Sequence, residues 1–264
     1  MQGSAGSLSP RVKWEHLKDY EFNLPDYEEQ ESLANKLWSA LKLKESYHSL
    51  LFATDEMVKS RFIEMFEATV HAYEEVPIIA LCHSEDDIKC GPFGTQLKQS
   101  EYQEYGVAVW GIPQINSEFT ISPDTFVTTE KAKRLEQFSL IAGDIAMSRK
   151  GNVGQCALYP EHFENGIIAS DVVRIRVNKD LIEPQFLVYQ LHNSHKVRKQ
   201  ILDVSDGSIM AGINVTKLKR IQVYSPPMDM QNQFVNVVKQ ADKSKFELKQ
   251  AIEKIDKVMR ALLQ

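Results

Sequence analysis

Residues 226–264 read PPMDMQNQFVNVVKQADKSKFELKQAIEKIDKVMRALLQ. Two prolines stop whatever precedes them, and the residues after them keep one period to the end. Steps of four and three from Phe234 reach Val238, Ala241, Lys245, Leu248, Ile252, Ile255, Met259 and Leu262, all apolar but Lys245. That is an a/d seam held over about four heptads, the pattern of a coiled coil. A helix of roughly 38 residues is about 57 Å long at 1.5 Å per residue, too long to hide its stripe inside one small domain. The stripe therefore demands a partner helix.

The same pattern occurs nearer the N-terminus. With an offset of 201 residues and no gap, Gly6-Ser7 matches Gly207-Ser208, Leu17-Lys18 matches Leu218-Lys219, Pro25 matches Pro226 and Gln30 matches Gln231. Asn35, Ala40, Lys42 and Lys44 then fall on Asn236, Ala241, Lys243 and Lys245. Such self-similarity sets the architecture: each copy reads as a short extended segment, a proline stop and a long helix. The first seam becomes Leu33, Leu37, Ala40, Lys44, Tyr47, Leu51, Thr54, Val58 and Arg61, and at its weak end Phe62, Met65 and Phe66 take over after a phase shift. Lys44 and Lys245 share one seam position. A polar residue there fixes register, or lays its stem on a neighbour and keeps its ammonium in water. The two helices pack antiparallel on each other, because a compact domain joins the end of one to the start of the other, or they pack on helices of a second chain. Leu33, Leu37, Tyr47, Leu51, Phe234, Val238, Leu248, Ile252 and Ile255 are the helix-pairing candidates.

The repeat divides the chain into a stub over 1–25, a first long helix region over 26–75, a globular module over 76–225 and a second coiled-coil helix over 226–264. In the module, Val107–Ile112, Ala142–Ser148, Gly166–Ile168, Val172–Val177 and Ile221–Tyr224 read as strands, and Pro184–Ser194 as a short amphipathic helix. The expected fold class is α+β: a strand-rich mixed domain flanked by two long helices in an antiparallel coiled coil.

Of the 264 residues, 43% are hydrophobic and 25% charged, ordinary values for a soluble globular protein. Met1 to Pro10 has no apolar stretch that could act as a signal peptide, and the run Val76–Cys82 is far too short to span a bilayer. Cys82, Cys90 and Cys156 lack the spacing of a disulfide framework or a structural zinc site, so a cytoplasmic setting is expected. The net charge is −5, yet it is uneven. Residues 1–75 carry 8 basic and 14 acidic side chains, whereas Arg174–Arg220 holds nine basic residues against four acids. DNA binding needs a local basic face rather than a basic chain.

No motif in the module assembles chemistry. Gly91-Pro92-Phe93-Gly94-Thr95 lacks the lysine ending of a phosphate loop, and Gly151-Asn152-Val153-Gly154 is too short for a dinucleotide fingerprint. Pro123-Asp124 with Glu130, Lys131 and Lys133 lacks the lysine two residues after the glutamate that a nuclease metal site would have. His192 and His195 are spaced for one helical face but have no third ligand. Ser148, Ser205 and Ser208 have no neighbouring base. Ser225-Pro226-Pro227-Met228 lacks both the first polar residue and the aromatic of an amino-methylating motif.

Four motifs in order carry a resemblance: Gly91-Pro92-Phe93-Gly94, Gly143-Asp144-Ile145-Ala146-Met147-Ser148-Arg149-Lys150-Gly151, Gly207-Ser208 with Ile213-Asn214, and Pro226-Pro227 with Gln231. Together they resemble a target recognition domain and conserved helix of type I restriction-modification specificity subunits, and Leu24–Gln30 resembles the entry to the family's other helix. The resemblance implies sequence-specific binding of double-stranded DNA without catalysis. It also implies docking to methyltransferase subunits, which supply S-adenosylmethionine, and to restriction subunits in the full complex. It implies no cofactor on this chain. Only one complete recognition domain is present, so a homodimer reading an interrupted palindrome is expected. The resemblance places DNA-facing loops at Gly91–Thr95, Ser148–Asn152 and Gly207–Asn214, with Thr95, Gln96, Lys98, Arg149, Lys150, Asn152, Ser208 and Asn214 as candidate contacts. The competing reading is a coiled-coil adaptor whose module binds another protein.

Overall fold

The computed structural model describes residues 4–5, 11–12, 14–16, 18–19, 21, 23–68, 73–205 and 212–263. The fold is α+β. Among these residues the helices are α1 (Tyr27–Phe62), α2 (Ile112–Asn116), α3 (Thr129–Arg134), α4 (Pro184–Asn193), α5 (His195–Ser205), α6 (Val215–Leu218) and α7 (Met228–Leu262). The chain forms two compact units, one of Met1–Ala53 with Lys245–Gln264 and one of Thr54–Ser244.

In the first unit, β1 (Ser4–Ala5) pairs antiparallel with β2 (Arg11–Val12). Asp26 starts α1 by accepting the Glu29 N–H at 2.8 Å, and Glu28 and Glu29 put negative charge on the positive end of the helix. Along α1, Leu33, Leu37, Ala40, Lys44, Tyr47 and Leu51 are half-buried while the residues between them are mostly exposed. On α7, Lys245, Leu248, Ile255, Met259 and Leu262 are half-buried and Ile252 is buried. The Lys44 ammonium meets the Asp256 carboxylate at 2.6 Å, so this seam lysine ends in an ion pair with the facing helix. In the second unit, Phe62 of α1 packs edge-on to Phe234 of α7, ring centroids 5.5 Å apart. Phe62, Met65 and Phe66 are all buried, and the phase shift there is a π-helical turn over Ile63–Glu67.

The repeat reproduces hydrogen bonds as well as residue types. Helices α1 and α7 start 201 positions apart, at Tyr27 and Met228. The Lys18 N–H donates to Trp14 O at 2.9 Å, and Lys219 N–H to Val215 O at 3.0 Å. Gln30 Nε2 donates to Pro25 O at 2.7 Å, and Gln231 Nε2 to Pro226 O at the same distance. The copies differ in what lies above them. Gln231 is fully buried, donates also to Leu181 O at 3.1 Å and accepts the Glu183 N–H at 2.8 Å. Gln30 is half-exposed.

The second unit holds β3 (Glu75–Pro77), β4 (Ile88–Cys90), β5 (Val107–Trp110), β6 (Phe126–Val127), β7 (Ser139–Leu140), β8 (Ile145–Ser148), β9 (Cys156–Leu158), β10 (Gly166–Ile168), β11 (Val172–Ile175) and β12 (Gln222–Tyr224). They form sheets in the orders β6-β5-β10-β7 and β4-β11-β8-β9 and a β12-β3 pair. Among the described strands only β10 and β5 run parallel. The second sheet is buried on both faces. Ile145, Met147, Cys156, Val173 and Ile175 join a core with Phe62, Phe186 and Phe234, while Ala146, Ala157 and Val172 join one around Trp110, Phe119 and Tyr159. Alternate residues face opposite ways, as the period of a strand requires.

Several predicted elements are shorter than expected. The strand from Val107 stops at Trp110, because Ile112-Pro113 opens α2 and proline fits a first helical turn. The strand expected from Ala142 starts at Ile145, since Gly143 takes φ +89°. The strand from Val172 ends at Ile175 rather than Val177. His192 and His195 do not share a helix face: Ser194 leaves helical geometry between α4 and α5.

Candidate nucleic-acid interface

The Gly-Asp-Ile-Ala-Met-Ser-Arg-Lys-Gly stretch builds the site. Asp144 is buried. It accepts the Ile141 N–H at 2.9 Å and takes Nε and Nη2 of Arg176, each at 2.7 Å, in a bidentate pair. This fixes the start of β8. At its other end the chain turns through Arg149–Gln155, with Gly151 at φ +68° and Gly154 at φ +84°, and returns as β9. Glycine is suited to those left-handed positions.

Three segments distant in sequence meet at this turn. The Arg149 N–H donates to Asp171 O at 2.9 Å, and the Ile213 N–H donates to Arg149 O at 3.0 Å. Lys150 bridges to Gly212 and its ammonium pairs with Asp171 at 3.0 Å. The Gly91 N–H donates to Val172 O at 3.0 Å. A Cβ on Gly91 would sit 2.0 Å from Ala169 O, so only glycine admits this approach. Two residues on, the exposed Phe93 ring lies 5.3 Å from the Arg149 guanidinium carbon, within cation–π range. Nη1 of Arg149 donates to Cys90 Sγ at 3.3 Å.

Of the candidate contacts, Arg149 and Lys150 sit at this junction. Asn152 is exposed on the turn and helps line a notch of about 280 Å³ with Gly154, Gln155, His192 and Arg198. Thr95 and Gln96 are exposed, and Gln96 Oε1 accepts the Phe93 N–H at 3.2 Å. Exposed Lys98 stands on the following turn, where its N–H donates to Glu101. Asn214 caps α6, its Oδ1 accepting from Thr216 and Lys217, so its carbonyl oxygen is engaged in the fold. Ser208 and Gly207 lie outside the described residues. The basic run Arg174–Arg220 does not form one face. Arg174 is buried and donates to the carbonyls of Asp86, Gln137 and Ser139. Arg176 serves Asp144, and Lys196 and Lys219 pair with Glu75 and Glu85. Arg198, Lys199, Lys217 and Arg220 are each at least partly exposed.

Sequence reasoning passed over Phe93, Asp171 and Arg198. Phe93 lies in the expected Gly91–Thr95 loop and Arg198 in the basic run, yet neither was a candidate contact; Asp171 carried no signal. His192, which the sequence shows without a third ligand, is mostly shielded. The Cys156 N–H donates to its Nε2 at 3.1 Å, and the Cys156 sulfur lies 3.3 Å from the same nitrogen. Cysteine beside histidine resembles a nucleophile and its base, but the environment opposes that chemistry. Burial pushes the Cys156 thiol up, and burial lowers His192, with Glu118 partly offsetting it and nearby Arg198 adding to it. Both groups are held neutral, and Nε2 is occupied by a backbone N–H. The pair clasps β9 to α4. Among the described residues no group of three or more His, Cys, Asp or Glu side chains could hold a metal ion, and no helix is long and apolar enough to cross a membrane.

Comparison with known proteins gives this geometry a context. A protein of Methanocaldococcus jannaschii described as a putative type I restriction enzyme MjaX specificity subunit is 26% identical over 180 residues, covering 65% of this chain and 41% of that protein. A chain solved in work on complex assembly and conformational transition of the type I restriction-modification system superposes with a TM-score of 0.68 at 16% identity, over 98% of this chain and 64% of that one. The HsdS subunit from Thermoanaerobacter tengcongensis gives 0.61 at 18% identity, over 99% and 64%. The S subunit from M. genitalium gives 0.60 at 17%, over 98% and 66%. These likenesses show the fold, and the chain spans less than two thirds of the length of each of these proteins. The family described as type I restriction modification DNA specificity domain matches residues 87–257. That is well over half of the chain, which therefore belongs to the type I restriction-modification DNA specificity family.

Proposed function

We propose that this chain reads one half-site of a double-stranded DNA target through the Gly91–Gln96, Arg149–Asn152 and Gly212–Asn214 segments and performs no chemistry itself. The observation that carries the reading is their convergence on one turn that displays Arg149, Lys150 and Asn152 beside the exposed Phe93. Lysine and arginine would hold phosphates and set register, and amide and guanidinium groups would read base edges in the major groove. The long helices would dock methyltransferase subunits, which bring S-adenosylmethionine, and restriction subunits would join that core. In the first unit Trp38, Phe52, Phe246 and Val258 are 69%, 68%, 62% and 55% exposed. Apolar exposure of that kind supports a protein partner on these helices. A second copy of the chain would supply a second half-site reader and make the target an interrupted palindrome. The setting would be the cytoplasm.

The test is binding of the full chain to a pool of randomised duplexes of about 30 base pairs, followed by selection and sequencing. With about four phosphate contacts, affinity should fall on the order of 100-fold between about 50 and 200 mM salt. One interrupted sequence should emerge from selection. Binding that ignores salt, or a pool that stays random, would favour the adaptor reading. Light scattering gives the solution mass: a dimer supports the palindrome, and a monomer refutes it.

A further inference from the structure

Several cations of the second unit are compensated by carboxylates. Lys89 pairs with Asp86, Lys131 with Glu101, Lys150 with Asp171 and Arg176 with Asp144. Arg149, at the turn where the three segments meet, is not among them. It is half-buried, yet among the described residues it has no carboxylate partner. Its guanidinium has an aromatic face on one side, 5.3 Å away, and a thiol sulfur on Nη1 at 3.3 Å. Both are weak acceptors. Among the described residues the Nε and Nη2 edge carries no hydrogen bond.

Backbone geometry reinforces this placement. Arg149 is pinned through its own N–H and C=O to Asp171 and Ile213, so the base of the side chain is fixed. Phe93 is set by the Gly91 approach to Ala169 and by the Gln96 side chain on its N–H. Phe93 is 53% exposed and adds little to the core. An exposed ring held in register against an uncompensated arginine makes sense as a support for that arginine.

Resting on the DNA-recognition reading above, we propose that Phe93 is a positioning residue for Arg149, holding the guanidinium so that its free edge reads a guanine through O6 and N7. A phosphate contact needs charge but no fixed plane, and lysine serves it as well. A planar fork held in one orientation reads a guanine with two fixed donors, and the Phe93 ring together with the Cys90 sulfur supplies that orientation.

The experiment uses the full chain as native, Arg149→Ala, Arg149→Lys, Phe93→Leu and Phe93→Tyr, each selecting from the same randomised duplex pool. The native chain should select a guanine at one position that Arg149→Ala no longer prefers, with discrimination there falling about 10- to 100-fold. Arg149→Lys should keep the salt dependence while weakening the guanine preference. Phe93→Leu should weaken preference at that same position by roughly two- to five-fold, and Phe93→Tyr should restore it. A motif unchanged in all four variants, or Arg149→Ala binding every sequence more weakly with its preferences intact, overturns the proposal. A native chain that selects nothing overturns the recognition reading, and this inference with it.

Discussion

Removing the side chain of Gln231 should cost far more than the same change at its counterpart Gln30. Gln231→Ala deletes the donors to Pro226 O and Leu181 O and the acceptor for the Glu183 N–H, all in a fully buried place. Each buried group left without a partner costs roughly 1 kcal/mol or more, and the empty volume adds to it. The expected loss is about 3 kcal/mol. Gln30→Ala deletes one bond at a half-exposed site, worth about 0.5 kcal/mol where water can replace it. The assay is urea unfolding followed by tryptophan emission, because Trp110 is buried in the second unit while Trp14 and Trp38 are exposed. With a slope of about 2–3 kcal/mol per molar, the Gln231→Ala midpoint should fall by about 1 M and that of Gln30→Ala by no more than about 0.3 M. Equal shifts in the two variants would refute the argument that the added contacts to Leu181 and Glu183 separate the copies.

Other consequences are open to measurement. Gly91→Ala should destabilise by about 2 kcal/mol or more, since its Cβ would collide with the Ala169 backbone, whereas Gly94→Ala meets nothing and should be neutral or stabilising by up to about 1 kcal/mol; matching denaturation midpoints would contradict the close approach. His192 is lowered from its ordinary value by burial, so the unfolded chain takes the proton first. Its stabilising contribution is whole above about pH 6.5 and is lost as pH falls through the folded value. The native chain should therefore lose more stability than His192→Gln between about pH 7.5 and pH 5, and parallel losses would show that the imidazole is irrelevant. Leu248→Glu with Ile252→Glu puts charge into the helix seam and should lower the melting temperature of the helical signal; an unchanged melt and solution mass would refute the seam.

The long elements were legible because periodicity over dozens of residues outweighs any single exception. The 3.5-residue step named the shielded positions of both helices, and the 201-residue offset named both helix starts. Gly166–Ile168 was legible as a strand, but several other short strands were not. β4, β7 and β9 are two or three residues long, and the sheet that holds β4 and β9 is buried on both faces, so no alternation of polar and apolar marks them. The basic run misled for a related reason. Composition cannot show that Arg174 points inward to three carbonyls, or that Arg176 is committed to Asp144. At the candidate site, Gly-rich motifs marked where turns would fall, but Phe93 meets an arginine 56 positions away, a contact that no local pattern encodes.

The turn after β8 is fastened by its main chain. Its hydrogen bonds to Asp171 and Ile213 use the N–H and carbonyl of residue 149, groups that every amino acid except proline provides, and its bends fall on Gly151 and Gly154. The scaffold is therefore largely indifferent to which side chains are displayed at 149 and 152. If the proposed reading holds, a lineage could exchange those letters, and with them the address read, while the loop and the sheet beneath it keep their form. Redesign of the proposed reader can begin at those positions, leaving the glycines and Asp144 untouched.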